Sequence, residues 1–489
     1  MTRLSDLVAR ELDVDPEIAG VTSDSRRVQP GWLFAALPGA QADGRAFIDQ
    51  ALEKGAAAIL APQDTPDLNV NGAAPLIRAC DTRRLYALAA SRFYGAQPAV
   101  VVAVTGTNGK TSVATFCRQI FARLGRRAAS LGTLGLQIED ASGVESLTGP
   151  GLTTPDAAEV ARLAADLHAR GVTHLAMEAS SHGLDQRRLD GLTLSAAGFT
   201  NLSQDHLDYH GDMDVYRSAK LRLFETLAPR QAPAVLNADA ADFPAFAAAA
   251  VVNGHTVLSV GETGRAIRLI KRVPEPYGQS LTLEIDGAIH DVNLPLAGAF
   301  QASNVLVAAG LCIATGEDAA QVMAALATLQ GAPGRMQRIG AGPRGGEAYV
   351  DYAHTPDGLY TVLEALRPHT RGRLIVVFGA GGDRDASKRP LMGQAAAQLA
   401  DLAIVTDDNP RSEDPASIRA AVLAGCPGAL DVGDRRAAIR AAVAQLHDGD
   451  ILVVAGKGHE QGQTIAGQVH PFDDVTETRA ALEAQSLHV

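Results

Sequence analysis

The chain has 489 residues, 46% of them apolar, 20% charged and only 4% aromatic, with a formal charge of −12. That length is too great for one hydrophobic core and points to about three domains with Ala-, Val- and Leu-rich interiors, while the acidic balance argues against nucleic acid as a general partner. No apolar run approaches the ~20 residues of a bilayer crossing, and Met1-Thr2-Arg3-Leu4-Ser5-Asp6 has no signal-peptide core, so a cytoplasmic protein without membrane insertion is expected.

Residues 1–98 read as a small α/β unit. Its alternating Gly31–Leu37, helix-like Ala46–Leu52 and strand-like Ala56–Leu60 precede a helix from about Asp81, which closes at the Gly/Pro-marked turn Tyr94–Pro98. The second unit, 99–332, opens on the apolar run Val100–Val104 and a helix from Val113 to Leu124. Strands follow at Ala128–Leu131, His174–Glu178, Leu192–Thr200 and Pro233–Asn237, with a helical stretch at Tyr216–Leu227. Such spacing is that of a mostly parallel sheet wrapped by helices. Ala266–Leu294 alternates like an antiparallel hairpin around Asp286-Gly287, and helices are expected near Ala302–Gly310 and Ala319–Leu329.

Gly331–Gly334 marks the second boundary, and residues 333–489 form a third unit with strands at Leu374–Phe378, Leu402–Thr406 and Ile451–Ala455. Neighbouring parallel strands end side by side, so the polar clusters 379–385, 407–411 and 456–460 should converge at one edge. Cys80, Cys117 and Cys312 are assigned to packing, since the chain contains no Cys-x-x-Cys.

The most informative turn is Gly106-Thr107-Asn108-Gly109-Lys110-Thr111, directly behind the run Val100–Val104. A strand that ends there and restarts as a helix aims free N–H groups at one point, with the Lys110 charge and the Thr111 hydroxyl beside them. That is a cradle for the phosphates of a nucleoside triphosphate and its magnesium. It departs from the usual pattern in one respect, because Val104 stands where a first glycine is expected.

Downstream, carboxylate and imidazole groups recur at strand ends. Glu178 is placed to hold a hard cation beside the phosphate loop, and His206 is brought toward the same edge; His182 remains open between a structural and a functional role. Lys220 reads by spacing alone as solvated helix surface. Thr153-Thr154-Pro155-Asp156 reads as a helix cap with Pro at the first helical position, although the same hydroxyls could hold a substrate. In the third unit Arg384 and Arg411 are forked donors suited to carboxylates, and Glu460 offers a negative charge for an amine. Together they suggest a pocket for something zwitterionic.

Thr105–Thr111, Glu178–Leu184, Asn201–His206, Asp351–Pro356, Asp408–Arg411 and Gly456–Glu460 together resemble the Mur ligases of peptidoglycan synthesis, over essentially the whole chain. The resemblance implies a three-domain α/β fold: a small N-terminal α/β domain (1–98), a central P-loop domain with a mostly parallel sheet (99–332) and a C-terminal Rossmann-like domain (333–489). It implies a cytoplasmic, ATP-dependent C–N ligase serving cell-wall biogenesis, cell shape and cell division. Asp408-Asn409-Pro410-Arg411 is similar to members that add meso-2,6-diaminopimelate to a UDP-muramoyl dipeptide; an L-lysine-adding or folate-extending relative is the nearest rival.

By that resemblance Gly106, Thr107, Asn108, Gly109, Lys110 and Thr111 would bind ATP with Asn304, Arg335 and Asp351. Thr111, Glu178, His206 and Lys220 would hold two magnesium ions, with Lys220 carrying a carbamate derived from carbon dioxide; Lys110, Lys220 and His206 would be catalytic. Ser25, Gln41, Thr153, Thr154, Ser180, Gln186 and Arg188 would bind the UDP-linked substrate, and Arg384, Asp408, Asn409, Pro410, Arg411, Gly456 and Glu460 the diaminopimelate. The third domain would close over the phosphate site, and a monomer is expected. A GTPase-like switch is disfavoured because no base-reading Asn-Lys-x-Asp follows a strand.

Overall fold

The structure, a computed structural model, describes residues 2–39, 42–67, 74–147 and 152–486. They fall into two compact units, the first of residues 1–266 and 307–318, the second of 267–306 and 319–489.

Besides a two-stranded pairing of Thr2–Arg3 with Glu17–Ile18, the first unit carries a smaller and a larger sheet. The smaller is fully parallel, in the order β1 (Gly20–Thr22), β2 (Trp32–Ala35), β3 (Ala58–Pro62), β4 (Leu76–Ala79). Helix α1 (Thr82–Tyr94) follows it, begun by the Asp81 carboxylate on the Arg84 N–H and stopped by Gly95 at φ 76°. Both signals are the local ones a helix needs. Tyr86, Ala87 and Ala90 of α1 share a core with Leu33, Leu60 and Ile77, and with Ala157, Ala158 and Ala161 of α2 (Ala157–Ala169).

Asp156 caps α2 and ties it to α1 and to the residue after β1. One carboxylate oxygen accepts from Ala158 N (3.0 Å) and Tyr86 OH (2.8 Å), the other from Ser23 Oγ (3.2 Å). The expected cap is therefore shifted: Asp156 is the N-cap and Pro155 precedes the helix. Proline N–H loss costs nothing in either place, so the local rule does not distinguish them.

At the centre of the larger sheet lies β5 (Val100–Thr105), flanked in parallel by β9 (His174–Glu178) and β10 (Ala196–Phe199). Beyond β9 come β6 (Ala128–Gly132), β7 (Gly135–Asp140) and β8 (Gly143–Leu147), the last two antiparallel; beyond β10 come β11 (Ala234–Asn237) and β12 (Val257–Gly261), parallel. Covered on both faces, β5 reads as an unbroken apolar run rather than an alternation. β10 is shorter than the expected strand because Leu192 N turns back to Leu189 O.

In the second unit β13 (Ile267–Glu275), β14 (Gly278–Ile285) and β15 (Ala288–Leu294) form an antiparallel meander. Asp286 (φ 49°) and Gly287 (φ 78°) make the expected tight turn. A six-stranded sheet runs β16 (Gln337–Ala341), β17 (Glu347–Asp351), β21 (Ile451–Ala455), β18 (Leu374–Phe378), β19 (Leu402–Val405), β20 (Leu430–Asp431), parallel except for the edge strand β16. Behind it Arg435 forms an ion pair with Asp474 at 2.7 Å, both side chains wholly buried. No helix among the described residues is long and apolar enough to cross a membrane. Of the cysteines assigned to packing, Cys117 and Cys312 are buried but Cys80 is exposed.

Candidate active site

Gly106 sits at the end of β5 at φ 151°, and a Cβ there would lie 1.9 Å from Thr200 Oγ1. Only glycine lets the loop pass that hydroxyl, which itself bonds Asn108 O at 2.6 Å. Gly109, at φ 87°, starts the helix Lys110–Arg123. The Lys110 Nζ folds back on Gly106 O and Thr107 O, both at 2.8 Å, so the loop holds its own cation over its carbonyls.

Glu178 ends the neighbouring strand, 2% exposed. Its carboxylate accepts from Thr111 Oγ1 (3.0 Å), Thr133 N (2.7 Å) and Thr133 Oγ1 (3.2 Å), and Gly132 makes room, since a Cβ there would lie 2.0 Å from Glu178 Oε1. A hydroxyl and a buried carboxylate side by side are the hard oxygen donors magnesium takes.

Lys220, expected on the surface by spacing, is 1% exposed. Its Nζ donates to Gly106 O at 2.7 Å and lies 4.4 Å from the Tyr216 ring centroid. Burial, then the nearby Lys110 charge, holds its amine well below the ordinary lysine range. Tyr216 OH reaches Thr107 Oγ1 at 3.2 Å; with burial as the main cause, its phenol is pushed up to about 12. His206, in the left-handed region at φ 52°, is half exposed and lies 6.3 Å from the Tyr216 ring and 4.9 Å from His182. Thr111 and Glu178 are thus in contact, whereas Lys220 and His206 are reached through Gly106 and Tyr216. Among the described residues no group of three or more His, Cys, Asp or Glu is gathered for a metal ion.

Next to Glu178, Thr153 Oγ1 meets Thr133 Oγ1 at 3.1 Å, and Thr154 Oγ1 bonds both Glu178 O and Ser180 Oγ at 2.9 Å. Arg188 donates to Thr154 O (2.6 Å) and to Gln186 Oε1 (2.8 Å). These five residues form one connected wall. Ser25 is buried in the 3-10 turn Ser25–Arg27 that follows β1, its carbonyl accepting from Lys54 Nζ at 3.0 Å. Gln41 lies outside the described residues.

In the second unit Asn304 Nδ2 donates to Gln301 Oε1 at 3.3 Å, and Gln301 reaches Arg335 O at 3.4 Å. Arg335 stacks on Tyr352, guanidinium carbon 4.5 Å from the ring centroid, with Nε buried and unpartnered. Asp351 accepts from Met336 N and Ala353 N, each at 2.7 Å, and burial pushes its carboxyl up. Its oxygens already brace the Arg335 loop.

The three polar loops of the C-terminal sheet meet. Gly382 N donates to Asn409 O (2.9 Å) and Arg411 to Gly382 O (2.6 Å), while Asn409 Nδ2 donates to Glu460 Oε2 at 3.0 Å. Arg411 is held at φ 55° by a bridge to Ile465. Asp408 Oδ2 is buried and unpartnered, and a Cβ on Gly456 would come within 2.5 Å of it. Pro410 is buried between the loops; Arg384 is exposed. Reading the sequence did not single out Thr133, Tyr216, Tyr352 or Lys457, all placed here by tertiary contacts.

Three family models match: the Mur ligase family catalytic domain over residues 17–94, the Mur ligase middle domain over 104–312 and the Mur ligase glutamate ligase domain over 334–458. The chain belongs to the Mur ligase family. Relatives named UDP-N-acetylmuramoyl-L-alanyl-D-glutamate--2,6-diaminopimelate ligase include one from Caulobacter vibrioides, 68% identical with 98% of this chain and 99% of that one covered. Another, from Brucella melitensis, is 52% identical over 96% and 95%. A solved structure of a ligase of that name is 35% identical, with TM-score 0.75 and 99% of both chains covered.

Proposed function

We propose that this chain is an ATP-dependent ligase that joins meso-2,6-diaminopimelate to UDP-N-acetylmuramoyl-L-alanyl-D-glutamate, releasing ADP and phosphate. The observation that carries the reading is the full-length likeness to ligases of that name. The phosphate loop facing Glu178, and the loop cluster around Asn409 and Glu460, give the chemistry residues to work with.

A carboxylate is a poor acyl donor because oxide would have to leave. Transfer of the terminal phosphoryl of ATP to the D-glutamate side-chain carboxylate makes an acyl phosphate; the amine of diaminopimelate attacks it, loses a proton, and phosphate departs. Lys110, once its Nζ leaves the Gly106 and Thr107 carbonyls, would neutralise charge developing on the transferred phosphoryl oxygens. Thr111 and Glu178 fit a magnesium ion, with His206 and Lys220 assigned to a second; the metal would supply positive charge to the phosphates.

Lys220 suits N-carboxylation. Burial favours its neutral amine, whose lone pair can attack carbon dioxide, forming an N–C bond and shedding one proton. The five-residue wall from Thr153 to Arg188, with Ser25 and Gln41, is read as the UDP-substrate side, and Asn304, Arg335 and Asp351 as the nucleotide side. Residues 1–98, 99–332 and 333–489 would be the domains for UDP-substrate, ATP and amino acid, in a cytoplasmic monomer.

The test is ADP release with ATP, the UDP-muramoyl dipeptide and either diaminopimelate or L-lysine, followed by product mass. Turnover dependent on diaminopimelate is expected; turnover with L-lysine alone would overturn the reading.

A further inference from the structure

We infer that Lys457 is a positioning residue for the incoming amino acid, acting through Glu460 and Asn409; this rests on the ligase reading above. Lys457 follows β21 between Gly456 (φ 123°) and Gly458 (φ 57°), two backbone conformations L side chains rarely adopt. A Cβ on Gly458 would lie 2.7 Å from Tyr352 Cβ, so the turn is pinned against its neighbour. The result is a lysine with a side chain 0% exposed, which is rare for an ammonium unless it is partnered.

Its partners are the two polar side chains of the pocket. Nζ donates to Asn409 Oδ1 at 3.0 Å and to Glu460 Oε2 at 3.3 Å. Asn409 Oδ1 also accepts from Thr464 N at 2.9 Å, while its Nδ2 donates to Glu460 Oε2 at 3.0 Å. Two donors on the oxygen and a carboxylate on the nitrogen fix the amide in one orientation. The same bonds occupy the inner oxygen of Glu460, whose side chain is 37% exposed. Oε1 is thereby left for a ligand ammonium, and the carboxylate is held in place before the ligand arrives. Pre-ordering of this kind lowers the cost of binding.

Lys457 does not itself need to touch the amino acid. Replacing it frees Glu460 to change rotamer and lets the Asn409 amide turn, so the loss should appear in the amino-acid KM and not in the affinity for the other substrates.

The experiment uses the full-length enzyme and the variants Lys457→Met, Lys457→Gln, Glu460→Gln and Lys457→Met/Glu460→Gln. In the lysine variants the KM for diaminopimelate should rise roughly tenfold or more, as one charge-assisted hydrogen bond allows, while the KM values for ATP and UDP-dipeptide stay within about twofold. The rise in the double variant should fall short of the product of the two single-variant rises, because part of the Lys457 effect runs through that carboxylate and the rest through Asn409. Equal rises in all three KM values, additive effects in the double variant, or loss of a cooperative unfolding transition in both lysine variants would each overturn the inference. If wild-type enzyme shows no diaminopimelate-dependent turnover, the ligase reading fails instead.

Discussion

Lys110 and Lys220 donate to the same acceptor, the carbonyl oxygen of Gly106, at 2.8 and 2.7 Å. Two ammonium groups on one oxygen repel each other, and Lys220, the more deeply enclosed, has the depressed proton affinity. Keeping that amine in the interior opposes stability. Lys220→Met should abolish ADP release yet raise stability by about 1–2 kcal/mol. Differential scanning calorimetry checks this, and a lowered midpoint would count against it.

Gly106→Ala should be damaging for a different reason. The added methyl meets Thr200 Oγ1 and the backbone of Asn201, so the loop must shift from its present shape. We expect a loss of about 2–4 kcal/mol together with loss of ATP binding, measurable by urea unfolding and titration calorimetry.

On the proposed reading selectivity should depend on Arg411, whose guanidinium would meet the second carboxylate that diaminopimelate has and lysine lacks. Because its backbone is left-handed, Asn is a better test than Ala, tolerating that conformation more readily. Arg411→Asn should reduce the preference in kcat/KM for diaminopimelate over L-lysine about a hundredfold; an undiminished ratio would refute the assignment.

The buried pair Arg435–Asp474 should respond asymmetrically. Burial pushes the Asp474 carboxyl up despite Arg435, so at the carboxylate desolvation outweighs the attraction, whereas Asp474 keeps the Arg435 guanidinium charged against its own burial. Asp474→Asn strands the guanidinium and should cost about 3–5 kcal/mol, whereas Arg435→Met with Asp474→Leu should cost far less. Chemical unfolding of both variants distinguishes the cases.

His369 should shape the acid limb of stability. Nε2 accepts from Gly298 N at 2.9 Å, so Nδ1 carries the proton donated to Glu275 O at 2.7 Å. Burial depresses its pKa below 6.5, the unfolded chain binds the extra proton first, and stability falls as pH drops from 6.5 to the folded value. In His369→Gln the urea midpoint should vary less over that interval; an unchanged slope would exclude this origin.

The strand, glycine turn and helix over 100–123 were legible because their signal is contiguous: apolar run, glycines and Lys-Thr lie within a dozen residues. Asp286-Gly287 was legible for the same reason. Lys220 was not, since spacing places it on a helix and its burial depends on a carbonyl 114 residues away in sequence. Lys457 escaped notice likewise, its partner Asn409 lying 48 residues back. The cap at Asp156 was missed by two positions because Thr154, with Pro155 behind it, and Asp156 both satisfy the local rule, and only Tyr86 and Ser23 decide between them.

Asp156 therefore serves as a rivet. The carboxylate that starts one helix also grips a tyrosine of α1 and a serine just beyond β1, so the threonines just before it are set in place by groups far upstream. A modest change at Ser23 or Tyr86 would be felt as misalignment of Thr153 and Thr154, proposed above to face the UDP-linked substrate, with neither threonine altered.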